Sequence, residues 1–160
     1  MTTIAIDRYG TIAADGQRTW GGDIVSRTER KIRIRHGRIY ALAGTAGVFE
    51  PLIAWHGEHN ADPEKTPKIG GDNDWQLIVI DRFWLIAKYT NTCPYADIFE
   101  RPPLGFGAGV DLAKGAMLFG ATAEQAVRLA IETTNHSGGE IQVVNIAEAL
   151  GLDVVKEAAE

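Results

Sequence analysis

Three pairs of short apolar segments, each closed by a tight turn, constrain this chain more than any other feature. Residues 2–8 alternate Ile4 and Ile6 with smaller or polar neighbours, Tyr9-Gly10 supplies a turn, and residues 11–14 return. That alternation is the period-2 signature of a strand. A second pair, residues 31–35 and 38–43, flanks His36-Gly37, and a third, residues 75–80 and 83–89, meets across Asp81-Arg82. Strands joined by turns this short pair antiparallel, because a parallel return needs a long crossover.

Helical patterns fall between and after the hairpins. The small-residue stretch Ala43-Gly44-Thr45-Ala46-Gly47 opens an apolar helix over residues 48–59. Residues 60–74, with Pro63, Pro67, Gly70 and Gly71, read as an exposed loop, and residues 90–104 as irregular and proline-rich. After Gly105-Phe106-Gly107-Ala108-Gly109 come helices over about 110–119 and 122–134. Small Ala113, Gly115 and Ala116 permit close packing of the first, and Thr122 with Gln125 forms a capping pattern for the second. Ser137-Gly138-Gly139 ends that helix, residues 141–146 form a last strand, and the tail from Ala147 reads as helical. With no repeat or linker, residues 1–160 are expected to form one α+β domain.

Composition removes several classes of function. The chain of 160 residues is 45% hydrophobic and 23% charged, ordinary for a packed domain. Its net charge of -5 gives no electrostatic reason to expect nucleic acid or an anionic membrane as partner. Cys93 is the only cysteine, so no internal disulfide forms. Residues 1–8 lack the basic stretch and apolar core of a signal peptide, and no apolar run approaches the ~20 residues that span a bilayer, so a cytoplasmic location is expected.

The N-terminal third is more specific. Thr2-Thr3-Ile4, then Ala14-Asp15-Gly16-Gln17 and Thr19, then Gly21, then Arg30-Lys31-Ile32, resembles the start of HslV, the proteasome-like subunit of a bacterial two-component ATP-dependent protease. Gly44-Thr45-Ala46-Gly47 looks like the glycine turn of the proteasome β family. Gly107-Ala108-Gly109 matches its Gly-Ser-Gly element in position, and Ser137 its serine or threonine before the last strand. The similarity covers residues 2–49 and 105–146, whereas 50–104 follow HslV poorly. It implies a four-layer αββα sandwich of two antiparallel sheets flanked by helices, the fold of N-terminal nucleophile (Ntn) hydrolases.

The resemblance also implies a mechanism. Once Met1 is removed, Thr2 offers its Oγ as nucleophile and its own α-amine as base; a free α-amine titrates near pKa ~8, whereas a peptide nitrogen has no usable basicity. A Lys31 ammonium beside the N-terminus favours the neutral amine, and Asp15 orients and neutralises that lysine. Gly44 is the expected oxyanion donor through its backbone N–H, with Gly47 the nearby alternative. Ser137 is retained from the family pattern. Two positions depart from it: Ala108 stands where a serine is usual, and Thr134 where an aspartate is common. Neither alanine nor threonine supplies what is missing, and a retained Met1 leaves Thr2 without a base.

The functional expectation is a threonine peptidase subunit of a homo-oligomeric ring, acting on peptides or unfolded proteins, with an unfoldase ATPase as candidate partner and with no cofactor and no metal. The alternatives are a catalytically impaired assembly protein and an Ntn amidohydrolase acting on a small amide. His56 and His59 lie three apart, but no third ligand accompanies them. His136 belongs to a turn at the rim, and Cys93 has no catalytic partner in sequence. Trp20, Trp55, Trp75 and Trp84 read as core or subunit contacts.

Overall fold

The hairpins form, and the chain builds two stacked antiparallel sheets around them. A computed structural model describes residues 1–68 and 74–152. Its elements in chain order are β1 (Thr3–Ile6), β2 (Thr11–Ala14), β3 (Arg18–Trp20), β4 (Asp23–Ser26), β5 (Ile32–Arg35) and β6 (Arg38–Gly44), then α1 (Phe49–Glu58). There follow β7 (Trp75–Ile80), β8 (Ile86–Thr90), β9 (Asp97–Phe99), β10 (Leu104–Gly107), α2 (Val110–Leu118), α3 (Ala123–Thr133), β11 (Gln142–Asn145) and α4 (Ile146–Ala149). One sheet runs β10-β1-β2-β11, the other β5-β6-β7-β8-β9, and β3-β4 stand apart as a two-stranded ribbon.

Alternation along each strand assigns the layers. Ile4 and Ile6 of β1 and Ile12 and Ala14 of β2 point into the space between the sheets, where they meet Ile39, Ala41 and Ala43 of β6 and Ile78 and Ile80 of β7. The intervening Ala5 and Ala13 face the other way, against Ala113 and Met117 of α2 and Ala123, Ala126 and Val127 of α3. Small residues on both surfaces let these helices sit close to the sheet. On the opposite outer face, Tyr40, Leu42, Leu77 and Val79 pack under Phe49, Leu52, Ile53 and Trp55 of α1. The order is helices, sheet, sheet, helix, the αββα sandwich expected from the sequence.

One carboxylate fixes a chain entry that the apolar pattern leaves free. Asp7, 1% exposed, accepts hydrogen bonds from Tyr9 N, Thr11 N and Ala123 N, tying the first turn to the start of α3. At that start the Thr122 hydroxyl accepts from Gln125 N and the Gln125 side-chain oxygen accepts from Thr122 N, a capping box.

Four details differ from the sequence reading. Residues 17–30, left unassigned, contain the β3–β4 ribbon. The third hairpin turns over residues 81–85 rather than two residues, because Asp81 Oδ1 accepts from both Phe83 N and Leu85 N and holds Trp84 at φ 62°. Residues 90–104 are not wholly irregular, since β9 extends the second sheet and β10 begins at Leu104. The helical tail is realised only as α4, and residues 153–160 lie outside the described residues, as do 69–73 of the loop. No described helix is long and apolar enough to cross a membrane.

Candidate active site

The start of β1 lies where three segments converge. Thr2, 5% exposed, sits just before the strand, and its carbonyl accepts a hydrogen bond of 2.8 Å from Ala108 N at the β10–α2 junction. Gly107 makes that approach possible. Its φ is 86°, and a Cβ there would lie 2.1 Å from the Thr2 carbonyl oxygen, so any other residue would push the N-terminus off the sheet.

Asp15, at the end of β2, is fully buried and is the hub of the site. Its Oδ1 accepts from Thr3 N at 2.9 Å and from Lys31 Nζ at 3.0 Å, while Oδ2 accepts from Gln17 N at 3.3 Å and Gly138 N at 3.1 Å. Lys31, 7% exposed, therefore has its counter-ion inside the fold. Burial pulls its ammonium below the ordinary lysine value, and the charge and hydrogen bond of Asp15, with Glu29 further off, push it back up. The lysine backbone is pinned too, since Leu42 N donates to its carbonyl at 3.0 Å.

Thr2 and Lys31 open onto one cavity of about 820 Å³. Gly44 and Gly47 line it from the β6–α1 turn, and Arg18, Thr19, Trp20, Gly21 and Val25 line it from the β3–β4 ribbon. Exposed Met1 borders the same cavity ahead of Thr2. Gly44 has φ 122°, and a Cβ there would fall 2.2 Å from the Asp74 carbonyl oxygen, so glycine is required by the backbone beside it as well as by any close approach of a substrate. Gly47 is the opposite case: open space surrounds the position a Cβ would take.

Of the five residues singled out from the sequence, Thr2, Lys31 and Gly44 thus meet around one cavity, with Asp15 directly behind Lys31. Ser137 is the one set further back. It is buried, and its Oγ lies 2.5 Å from Thr3 Oγ1 rather than on the cavity wall. The two departures from the family pattern are also placed. Ala108 contributes its N–H to Thr2, and Thr134 turns its hydroxyl to the Ala130 carbonyl at 2.8 Å, closing the end of α3.

Thr3, Gln17 and Gly138 are the site residues that sequence reasoning missed. Thr3 and Ser137 are 134 positions apart, so no local pattern joins them, and Gln17 and Gly138 serve Asp15 through backbone N–H groups. The remaining candidates sit elsewhere. His56 hydrogen-bonds Tyr40 at 3.0 Å and is held at about 4, first by burial and then by the Arg38 charge, so its ring is neutral at pH 7. His59 is exposed at the end of α1, and Cys93 is an exposed turn residue. Trp55 and Trp75 are core residues in edge-to-face contact and Trp84 faces solvent, whereas the largely exposed Trp20 is the one tryptophan that lines the cavity. Among the described residues, no group of three or more His, Cys, Asp or Glu is placed to hold a metal ion.

Comparison with solved structures decides the fold. BPH from Thiobacillus denitrificans superposes with a TM-score of 0.65 over 90% of this chain and 96% of its own, at 20% identity. The chain shares the fold of BPH. A second structure of that protein, in complex with epoxomicin, matches at the same TM-score, 19% identity, 90% of this chain and 97% of its own. No protein-family model and no curated protein matches the sequence.

Proposed function

We propose that this chain is a threonine-type Ntn hydrolase, the peptidase subunit of a homo-oligomeric, HslV-like chamber, with Thr2 as nucleophile once Met1 is removed. The observation that carries the reading is the convergence of Thr2 and the buried Asp15–Lys31 pair, 3.0 Å apart, on one cavity. The epoxomicin complex of BPH, a protein of the same fold, agrees with it.

With Met1 gone, the α-amine of Thr2 takes the proton of its own Oγ as that oxygen attacks the substrate carbonyl carbon. The carbonyl π electrons move onto oxygen, and a backbone N–H of the Gly44–Gly47 turn receives that charge. The intermediate collapses by breaking the C–N bond, and the α-ammonium returns the proton to the leaving amine. Water then attacks the Thr2 ester, losing a proton to the α-amine; the C–O bond to Thr2 breaks, the α-ammonium returns that proton to the Thr2 oxygen, and the acid leaves. Lys31 stays cationic through the cycle and keeps the resting amine neutral, while Asp15 holds the lysine in place. Ala108 and Thr134 supply no side-chain group to the amine, so the backbone clamp on Thr2 carries more of its orientation.

The test is covalent labelling. A threonine-directed electrophile adds one equivalent to the protein lacking Met1, at Thr2, and the label is lost in Thr2→Ala and at least ~100-fold slower in Lys31→Ala. Labelling that persists in Thr2→Ala overturns the assignment. Turnover of unfolded polypeptide by a ring in solution supports the chamber, whereas an active monomer that cleaves only small amides replaces it with the amidohydrolase reading.

A further inference from the structure

We propose that Thr3 is the positioning residue for the Thr2 nucleophile, acting through a closed hydrogen-bond ring that its hydroxyl completes; the inference rests on the reading of Thr2 given above. The ring can be followed atom by atom. Thr3 N donates to Asp15 Oδ1 at 2.9 Å, and Asp15 Oδ2 accepts from Gly138 N at 3.1 Å. Ser137 precedes Gly138 in the chain, and its Oγ returns to Thr3 Oγ1 at 2.5 Å. All four residues are buried, with Thr3 and Asp15 fully so.

The ring acts on Thr2 because the two residues share a peptide unit. That plane is held at both ends, its N–H by Asp15 and its carbonyl by Ala108 N. Side chains alternate along an extended segment, so Thr3 lies on the helix-facing side of the sheet with Ala5, opposite the face that Thr2 offers to the cavity. Thr3 is thus a peg driven into the back of the site. Gly109 fits that description: a Cβ there would fall 2.1 Å from Thr3 Oγ1 and 3.0 Å from its Cγ2, so the start of α2 is shaped around this one side chain. Asp15 Oδ1 serves both Thr3 N and Lys31 Nζ, so the same ring sets the distance between nucleophile and lysine. A displacement of ~1 Å between such groups costs about 100-fold in rate, which makes the peg's position a catalytic quantity.

The experiment measures electrophile labelling of Thr2 against concentration and pH in the intact chain lacking Met1. Thr3→Val keeps the shape and removes the hydroxyl. It is expected to lower the limiting rate at least ~10-fold, to leave the half-saturating concentration within about twofold, and to shift the pH midpoint of labelling. Thr3→Ser restores the hydroxyl and is expected to return most of the rate. Because Thr3→Val strands the Ser137 hydroxyl, Thr3→Val/Ser137→Ala is the folding control; with both partners apolar it is expected to keep the thermal midpoint of the unsubstituted chain and still label slowly. A Thr3→Val chain that labels at the full rate with an unmoved pH midpoint overturns the inference while leaving Thr2 as nucleophile. So does a double variant that regains the rate, or a Thr3→Ser chain as slow as Thr3→Val. An unsubstituted chain that does not label at Thr2 overturns the functional reading itself, and this one with it.

Discussion

Asp15→Asn is the perturbation that loads the site most heavily, and its cost can be worked from the contacts. The carboxylate is fully buried and accepts four hydrogen bonds, two on each oxygen, all from donors. An asparagine amide has one acceptor oxygen, so its NH2 must face either Gln17 N and Gly138 N or Thr3 N and Lys31 Nζ, donor against donor. It also removes the counter-ion of an ammonium that is 7% exposed. Breaking a buried pair by removing one partner costs about 3–5 kcal/mol, largely through the charge left behind. In a chain of this size, each kcal/mol lowers the thermal midpoint by about 2–4 °C, so the variant should melt about 10 °C early. Urea unfolding of Asp15→Asn, Lys31→Met and the double variant isolates the charge contribution. Deleting the lysine charge as well should recover about 1–3 kcal/mol relative to the sum of the two single losses. Additive losses, or an Asp15→Asn cost below about 1 kcal/mol, would refute the account of Asp15 as the hub.

Three further outcomes follow from other contacts. Gly109→Ala should cost at least ~2 kcal/mol in urea unfolding, since its methyl meets Thr3 at two points while its φ of -90° carries no strain of its own; a neutral effect would mean the α2 start can retreat. Acid should weaken the fold through His56. Its folded value is about 4 against an ordinary 6.5, so the unfolded chain binds the proton first, and the stability present above pH 6.5 drains as pH falls toward 4. The full gap is worth ~3.4 kcal/mol, reduced to about 1–2 by partial solvent exposure, and His56→Gln should flatten that part of the pH–stability curve. Thr122→Ala should cost about 1 kcal/mol by opening the capping box, readable as a shift of the urea midpoint with an unchanged slope.

What could be read from the sequence was what local physics decides. The alternation of Ile4 and Ile6 with small residues gives β1 its two faces, and it was visible because both faces are buried by different partners. The Thr122–Gln125 cap and the start of α3 were visible for a similar reason, since the whole device spans four residues. β10 was hidden because its sequence, Leu104-Gly105-Phe106-Gly107, is poor in strand formers, and its strand character comes from pairing with β1, about a hundred residues earlier. Its glycines admit neighbouring backbone, as Gly107 does for Thr2. β3 and β4 are short and almost wholly exposed, so no apolar stripe marks them. In the site, Thr2, Asp15, Lys31 and Gly44 were legible through resemblance over the first 49 residues. The partnership of Thr3 with Ser137 was not, because it exists only once the last strand returns to pair with β2, the neighbour of β1.

The account turns on the nitrogen of Thr2, which is a base only when nothing precedes it. The most direct measurement is the intact mass of the chain purified from its natural host. The account predicts a mass short by one methionine, with Thr2 as the first residue. A chain that still carries Met1 in that host has no free amine at Thr2, and would contradict the threonine-hydrolase mechanism outright.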